Sequence, residues 1–197
     1  MQTPDLSPPV RAFVAIGLPI ELARQIGLLK QLIQKNLAER SIRWVRPELI
    51  HLTLRFLGNV PGEQIQSLTA ALRVSCAGIA PFHLSIEKLG AFPSLAKPTV
   101  LWLGLNGDLE RLRQLEQQVL RETQKFGDHS EERAFHPHLT LGRVRNRGRG
   151  LRRISECLWK TVMPSFEEWR IEEVLLVQSR LSSEGSKYSN LAAIPLI

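Results

Sequence analysis

Two short stretches of the 197-residue sequence have residue types suited to proton transfer. The tetrapeptide His-Leu-Thr-Leu occurs at residues 51–54 and again at 138–141. With 5 histidines and 7 threonines in the chain, about 0.2 matches to His-x-Thr are expected by chance. Two are present, and they share both leucines. In a strand, residues i and i+2 face the same way. His51 and Thr53 therefore share one face while Leu52 and Leu54 take the other, and His138 and Thr140 repeat the arrangement over Leu139 and Leu141. Set side by side, the strands would bury their leucines beneath a sheet and line an open face with two imidazoles and two hydroxyls. An imidazole titrates near neutral pH, so one ring can take a proton while the other gives one. That equips a site for attack on phosphorus with protonation of a departing oxygen, the hydroxyls and a nearby arginine holding the other phosphate oxygens. Residue types do not say which ring is acid and which base.

The remaining candidates are weaker. His136-Pro137-His138 could offer two imidazoles to a metal, but the chain has no His-Glu-x-x-His and no acidic residue beside either motif, so no metal and no cofactor are expected. Cys76 and Cys157 are too few for a disulfide framework and are read as structural. His83 and His129 receive no role. Trp44, Trp102, Trp159 and Trp169 are read mainly as packing residues.

These candidates need a frame to hold them. Apolar patterning predicts strands at 11–16, 42–45, 50–56, 82–90, 100–104, 136–144, 168–179 and 186–194, and helices at 19–37, 61–76, 109–126 and 151–162. Such interleaving indicates a mixed α/β or α+β domain, and the repeated tetrapeptide hints at internal duplication. Residues 1–10 are read as a disordered tail and 11–197 as a single domain. No apolar run is long enough to cross a bilayer and no secretory leader is evident, so the expected location is cytoplasmic. The net charge of +7 favours a polyanionic partner, nucleic acid first. Its densest run, from Arg143 to Arg153, could grip RNA or simply be solvated.

On these residues the sequence resembles the two-histidine phosphoesterases, and among them the RNA 2′,3′-cyclic phosphodiesterases, also called 2′-5′ RNA ligases. Beyond the two motifs, the resemblance is carried by Arg11–Ile16, by Trp44–Pro47 before His51, by Phe56–Gly58 after it, by Gly90–Pro93, Val100–Trp102 and Gly185–Tyr188. It implies an α+β, bilobal fold: two small, mostly antiparallel sheets, helices outside, a central cleft. It also implies a monomer without a metal that opens 2′,3′-cyclic phosphates on RNA ends, tRNA fragments or small cyclic nucleotides to 2′-phosphomonoesters. His138 would be the proton acceptor that activates water and His51 the proton donor to the 3′ oxygen. Thr53, Thr140 and Arg143 would bind the phosphate. By plain alternation Arg143 should point away from His138, unless the strand bulges near Gly142. Arg55, with the parity of Thr53, is the alternative clamp. ATP-independent 2′-5′ ligation uses the same residues in reverse, although water at about 55 M outcompetes a dilute hydroxyl unless both ends are bound. A non-catalytic RNA-binding module is the remaining reading.

Overall fold

Short strands rich in Leu, Val and Ile alternate with amphipathic helices along the chain. The structure, a computed structural model, describes residues 8–37, 42–129, 134–145, 150–182 and 185–197. In chain order the elements are β1 (Val10–Ile16), α1 (Ile20–Leu37), β2 (Ile42–Trp44), β3 (Leu52–Val60), α2 (Ile65–Cys76), β4 (Phe82–Phe92), β5 (Val100–Gly107), α3 (Leu109–Thr123), β6 (His138–Val144), α4 (Leu151–Lys160), β7 (Trp169–Ile171), β8 (Glu173–Ser182) and β9 (Gly185–Pro195). One-turn 3-10 helices precede His51 (Pro47–Leu49) and open α2 (Gly62–Gln64). The tail expected at the N-terminus lies mostly outside the described residues, and β1 already begins at Val10.

All observed strand pairs are antiparallel, in the order β7-β4-β5-β6-β3-β1-β8-β9, with β2 also on β6. In place of the two expected small sheets there is one continuous nine-stranded sheet with two arms, β7-β4-β5-β6 with β2 and β3-β1-β8-β9. They are joined through one register pair, Leu52 opposite Leu139. Helices α2 and α3 pack together and against β9 and β3, and α1 packs on α4. The helix-facing leucines of both motifs, with Ile26, Ile33, Leu68, Leu72, Leu112 and Leu115, form the main core.

The segment expected as one strand at 168–179 is two. Trp169–Ile171 pairs with β4, whereas Glu173–Ser182 pairs with β1 and β9. The break falls at Glu172-Glu173, two weak strand formers between Trp169–Ile171 and the apolar run from Val174. β2 leaves its own half to pair with β6, so each arm draws strands from both halves of the chain.

Candidate active site

The junction pair Leu52–Leu139 places the motifs. Continued by one residue in each direction, this antiparallel register sets His51 across from Thr140 and Thr53 across from His138. The two histidines are then diagonal neighbours, and side chains so placed stand roughly 7–8 Å apart. Leu52, Leu54, Leu139 and Leu141 are all buried at 3% exposure or less, while the His and Thr residues are half-buried on the opposite face. The alternation inferred from the tetrapeptides thus holds in both copies.

The approach to His51 is fixed from several sides. Val45 N–H donates to Leu141 C=O at 2.8 Å, Ile50 N–H to Pro47 C=O at 3.1 Å, and Lys30 Nζ to Val45 C=O at 3.1 Å. Both rings are then oriented in one way. His51 Nδ1 lies 2.8 Å from Leu49 C=O, and His138 Nδ1 lies 2.6 Å from His136 C=O. A carbonyl only accepts, so Nδ1 carries the hydrogen in each ring. Nε2 is left as the proton-exchanging atom, an acceptor when the ring is neutral and a donor when it is charged. His136 thus lends its carbonyl to His138, while its own side chain is exposed.

Burial is the largest cause holding both imidazoles below their usual pKa, partly opposed by these backbone hydrogen bonds. The charge of His138 pushes His51 down further. For His138, Arg143 and His136 add to the depression. Arg143 is therefore close enough to act electrostatically on the second histidine. Strand β6 shows how: Leu101 pairs with Gly142 but Trp102 pairs with Thr140, so Leu141 is an extra residue. Leu141 and Gly142 are consecutively buried, and Arg143 then emerges exposed on the His138 side. Gly142 permits this because a Cβ there would sit 2.9 Å from Ile42 Cγ2 and 3.2 Å from Arg43 O.

The first motif has the same irregularity. Ala15 pairs with Thr53 but Val14 with Arg55, so Leu54 is the extra residue and Leu54 and Arg55 are consecutively buried. This corrects the alternative clamp. Arg55 is 3% exposed and points into the helix layer, donating to Leu120 C=O at 3.2 Å and to the Thr123 hydroxyl at the end of α3. Its apparent parity with Thr53 is cancelled by the bulge. The position equivalent to Arg143 is held by Phe56, 46% exposed.

Aromatic rings wall both histidines, and sequence reasoning assigned them no part in the site. Phe13 stacks on His51 at 4.7 Å between centroids, and Tyr188 meets His51 edge-on at 5.5 Å. On the other side, Phe92 meets His138 edge-on at 5.1 Å and Trp102 lies 6.5 Å from it. Phe13, Ala15 and Val177 form a small apolar cluster apart from the main core. Nothing in β1 alone marks Phe13 as facing the cleft, because that depends on which strands flank it. Among the tryptophans, Trp169 is buried, whereas Trp159 is 73% exposed and takes no part in packing the core. From His51 a groove of about 470 Å³ extends between Tyr188, Leu175, Asn190 and Arg24. Among the described residues no three His, Cys, Asp or Glu side chains converge to hold a metal ion, and no helix is long and apolar enough to cross a membrane. Arg147 and Arg149 lie outside the described residues.

Comparison with known proteins shows the family. An RNA 2′,3′-cyclic phosphodiesterase of Archaeoglobus fulgidus is 30% identical over 182 residues, covering 92% of this chain and 98% of the relative. One from Methanothermobacter thermautotrophicus is 29% identical over 187 residues, covering 95% and 99%. The crystal structure of E. coli LigT complexed with 3′-AMP superposes with a TM-score of 0.74 at 26% identity, over 95% of this chain and 98% of that one. The family model for LigT-like phosphoesterases matches twice, at residues 16–102 and 103–188. Each match contains one histidine–threonine pair, and with the duplication visible both in sequence and in the paired bulges, the chain belongs to the LigT-like phosphoesterase family.

Proposed function

We propose that the chain hydrolyses 2′,3′-cyclic phosphates at RNA ends to 2′-phosphomonoesters, using its two histidines and no metal ion. The observation carrying this reading is the matched orientation of His51 and His138. Each has Nδ1 tied to a carbonyl, leaving Nε2 for proton transfer. His138 Nε2 takes a proton from water as its oxygen bonds to phosphorus. The bond from phosphorus to O3′ breaks, its electron pair goes to O3′, and His51 Nε2–H protonates that oxygen. Thr53, Thr140 and Arg143 hold the non-bridging oxygens as charge accumulates there. Afterwards His138 loses its proton to solvent and His51 regains one.

The assignment of base and acid follows the resemblance to the family, because both rings are held below their usual pKa, His51 by burial and the charge of His138, His138 by burial, Arg143 and His136. The anionic substrate favours charging either ring as it binds, and the groove beside His51 offers room for the nucleoside. RNA ends, including tRNA fragments, are the proposed substrates of a monomer acting in the cytoplasm.

The test uses an RNA ending in a 2′,3′-cyclic phosphate, in EDTA, with the product's phosphate position determined. His51→Ala and His138→Ala are each expected to lower turnover by about two to four powers of ten. Near-wild-type turnover in either variant, or abolition by EDTA, refutes the corresponding part. Adding a 5′-hydroxyl acceptor separates hydrolysis from ligation by product length.

A further inference from the structure

One charged feature near the cleft is unused by this mechanism. In the β2–β6 pair, Arg43 lies directly opposite Arg143, and both are exposed. Their neighbours in register, Ile42 and Val144, are buried, so the two guanidiniums share the outward face. Like charges directly opposite on antiparallel strands repel. Among the described residues neither arginine has a carboxylate partner. Arg43 also reaches toward the β8–β9 hairpin, its Nη2 lying 3.6 Å from where a Cβ on Gly185 would sit. Arg46 Nη2 donates to Ser186 C=O at 3.5 Å, with Glu48 3.5 Å from its Nε. Lys187 and Arg180 face each other across the hairpin, and both are exposed. Beside Lys187, Tyr188 contacts His51. The basic rim thus stands where the cleft passes His51.

The direction of the chemistry says what such a rim meets. This inference rests on the phosphoesterase reading above. Water approaches phosphorus from the His138 side and O3′ departs toward His51, so the terminal ribose lies on the His51 side. An RNA chain continuing from O5′ of that ribose leaves at the same end. We propose that Arg43 is a specificity-determining residue that binds the phosphodiester one nucleotide 5′ of the cyclic end. Arg43 and Arg143 then grip consecutive phosphates, and a polyanion that brings both charges relieves their mutual repulsion more fully than a single phosphate does. A cyclic mononucleotide with a free 5′-hydroxyl brings one. The site therefore selects RNA ends over free cyclic nucleotides.

The test compares kcat/KM for a dinucleotide ending in 2′,3′-cyclic phosphate with that for adenosine 2′,3′-cyclic phosphate, in wild type, Arg43→Ala and Arg43→Gln. The dinucleotide-to-mononucleotide ratio is expected to fall about tenfold in both variants, the order of one charged hydrogen bond. The salt dependence of log kcat/KM for the dinucleotide should become shallower by about 0.7, the single-strand value for one phosphate contact. A ratio unchanged from wild type overturns the inference. So does an Arg43 dependence seen with a 5′-phosphorylated cyclic mononucleotide but not with the dinucleotide, because the rim would then read a terminal phosphate rather than a chain. If a variant loses all turnover, the affinity ratio of a dinucleotide 2′-phosphate to adenosine 2′-phosphate gives the same readout. Wild type opening neither substrate removes the phosphoesterase reading and this inference with it, whereas an unchanged ratio with active wild type removes this inference alone.

Discussion

Gly90 offers a test of the site from a residue with no chemistry of its own. It lies opposite Trp102 in the β4–β5 pair, and the indole lies across it. A Cβ added at Gly90 would stand 2.2, 2.3 and 2.6 Å from three carbons of the six-membered ring, whereas ordinary contact begins at 3.4 Å. The ring must retreat by more than 1 Å. It can do so because Trp102 is half-buried and borders the cleft, but its neighbours there are Phe92, at 5.1 Å, and His138. Overpacking of this size costs about 1–3 kcal/mol, and removing a glycine from a strand returns part of that. We expect Gly90→Ala to be destabilised by about 1–2 kcal/mol, or about 2–8 °C in Tm for a chain of this length. A misplacement of about 1 Å at a catalytic group costs on the order of a hundredfold, so turnover should suffer far more than stability. The assay is steady-state hydrolysis of cyclic-ended RNA alongside thermal unfolding, completed by Trp102→Phe and the double variant. Phenylalanine lacks the three clashing carbons, so the double variant should be more active than Gly90→Ala alone, a non-additivity that a cycle measures. Wild-type turnover in Gly90→Ala, or strictly additive effects, would refute the link between Trp102 and His138.

Three further outcomes are expected. Arg143→Ala should lower kcat by about 10²–10³. Because Arg143 helps hold His138 below its usual pKa, its loss should also move the acid limb of kcat/KM to higher pH; an unmoved limb would separate Arg143 from the base. Arg55→Ala should cost about 1.5–3 kcal/mol, as lost charged hydrogen bonds do, with turnover per folded molecule retained; a catalytic defect at unchanged stability would restore it as the clamp. Both histidines titrate below their ordinary value in the fold. As pH falls below the ordinary histidine value of about 6.5, the unfolded chain binds protons that the native state refuses, so their contribution to stability declines through that window. Denaturant unfolding from pH 7.5 to 5 should show this decline, and should show it weakened in His51→Ala; a stability that rises on acidification would contradict it.

Much of the site was legible because a two-residue period leaves its mark on sequence. His51, Thr53, His138 and Thr140 could be placed on one face from spacing alone, and the leucines beneath them from the same rule. What spacing does not carry is anything that depends on a neighbouring strand. The bulges at Leu54 and Leu141 appear only as a mismatch with partners, and they decide that Arg55 goes into the helix layer while Arg143 goes into the cleft. Gly142 was the one visible hint. Phe13, Phe92, Trp102 and Tyr188 reach the histidines from strands far away in sequence, so no local pattern identifies them. The division of residues 169–182 between the two arms leaves only Glu172-Glu173 as its mark in the sequence.

The exchange of strands between the halves has a mechanical consequence. β2 and β4, from the first half of the chain, help build the arm that holds β6, and β8 with β9 returns from the second half to complete the arm that holds β1 and β3. Melting of either arm strips backbone ladders from the other. Under denaturant the two imidazoles should therefore lose their alignment in a single cooperative step, and fading catalysis should track the loss of secondary structure instead of preceding it.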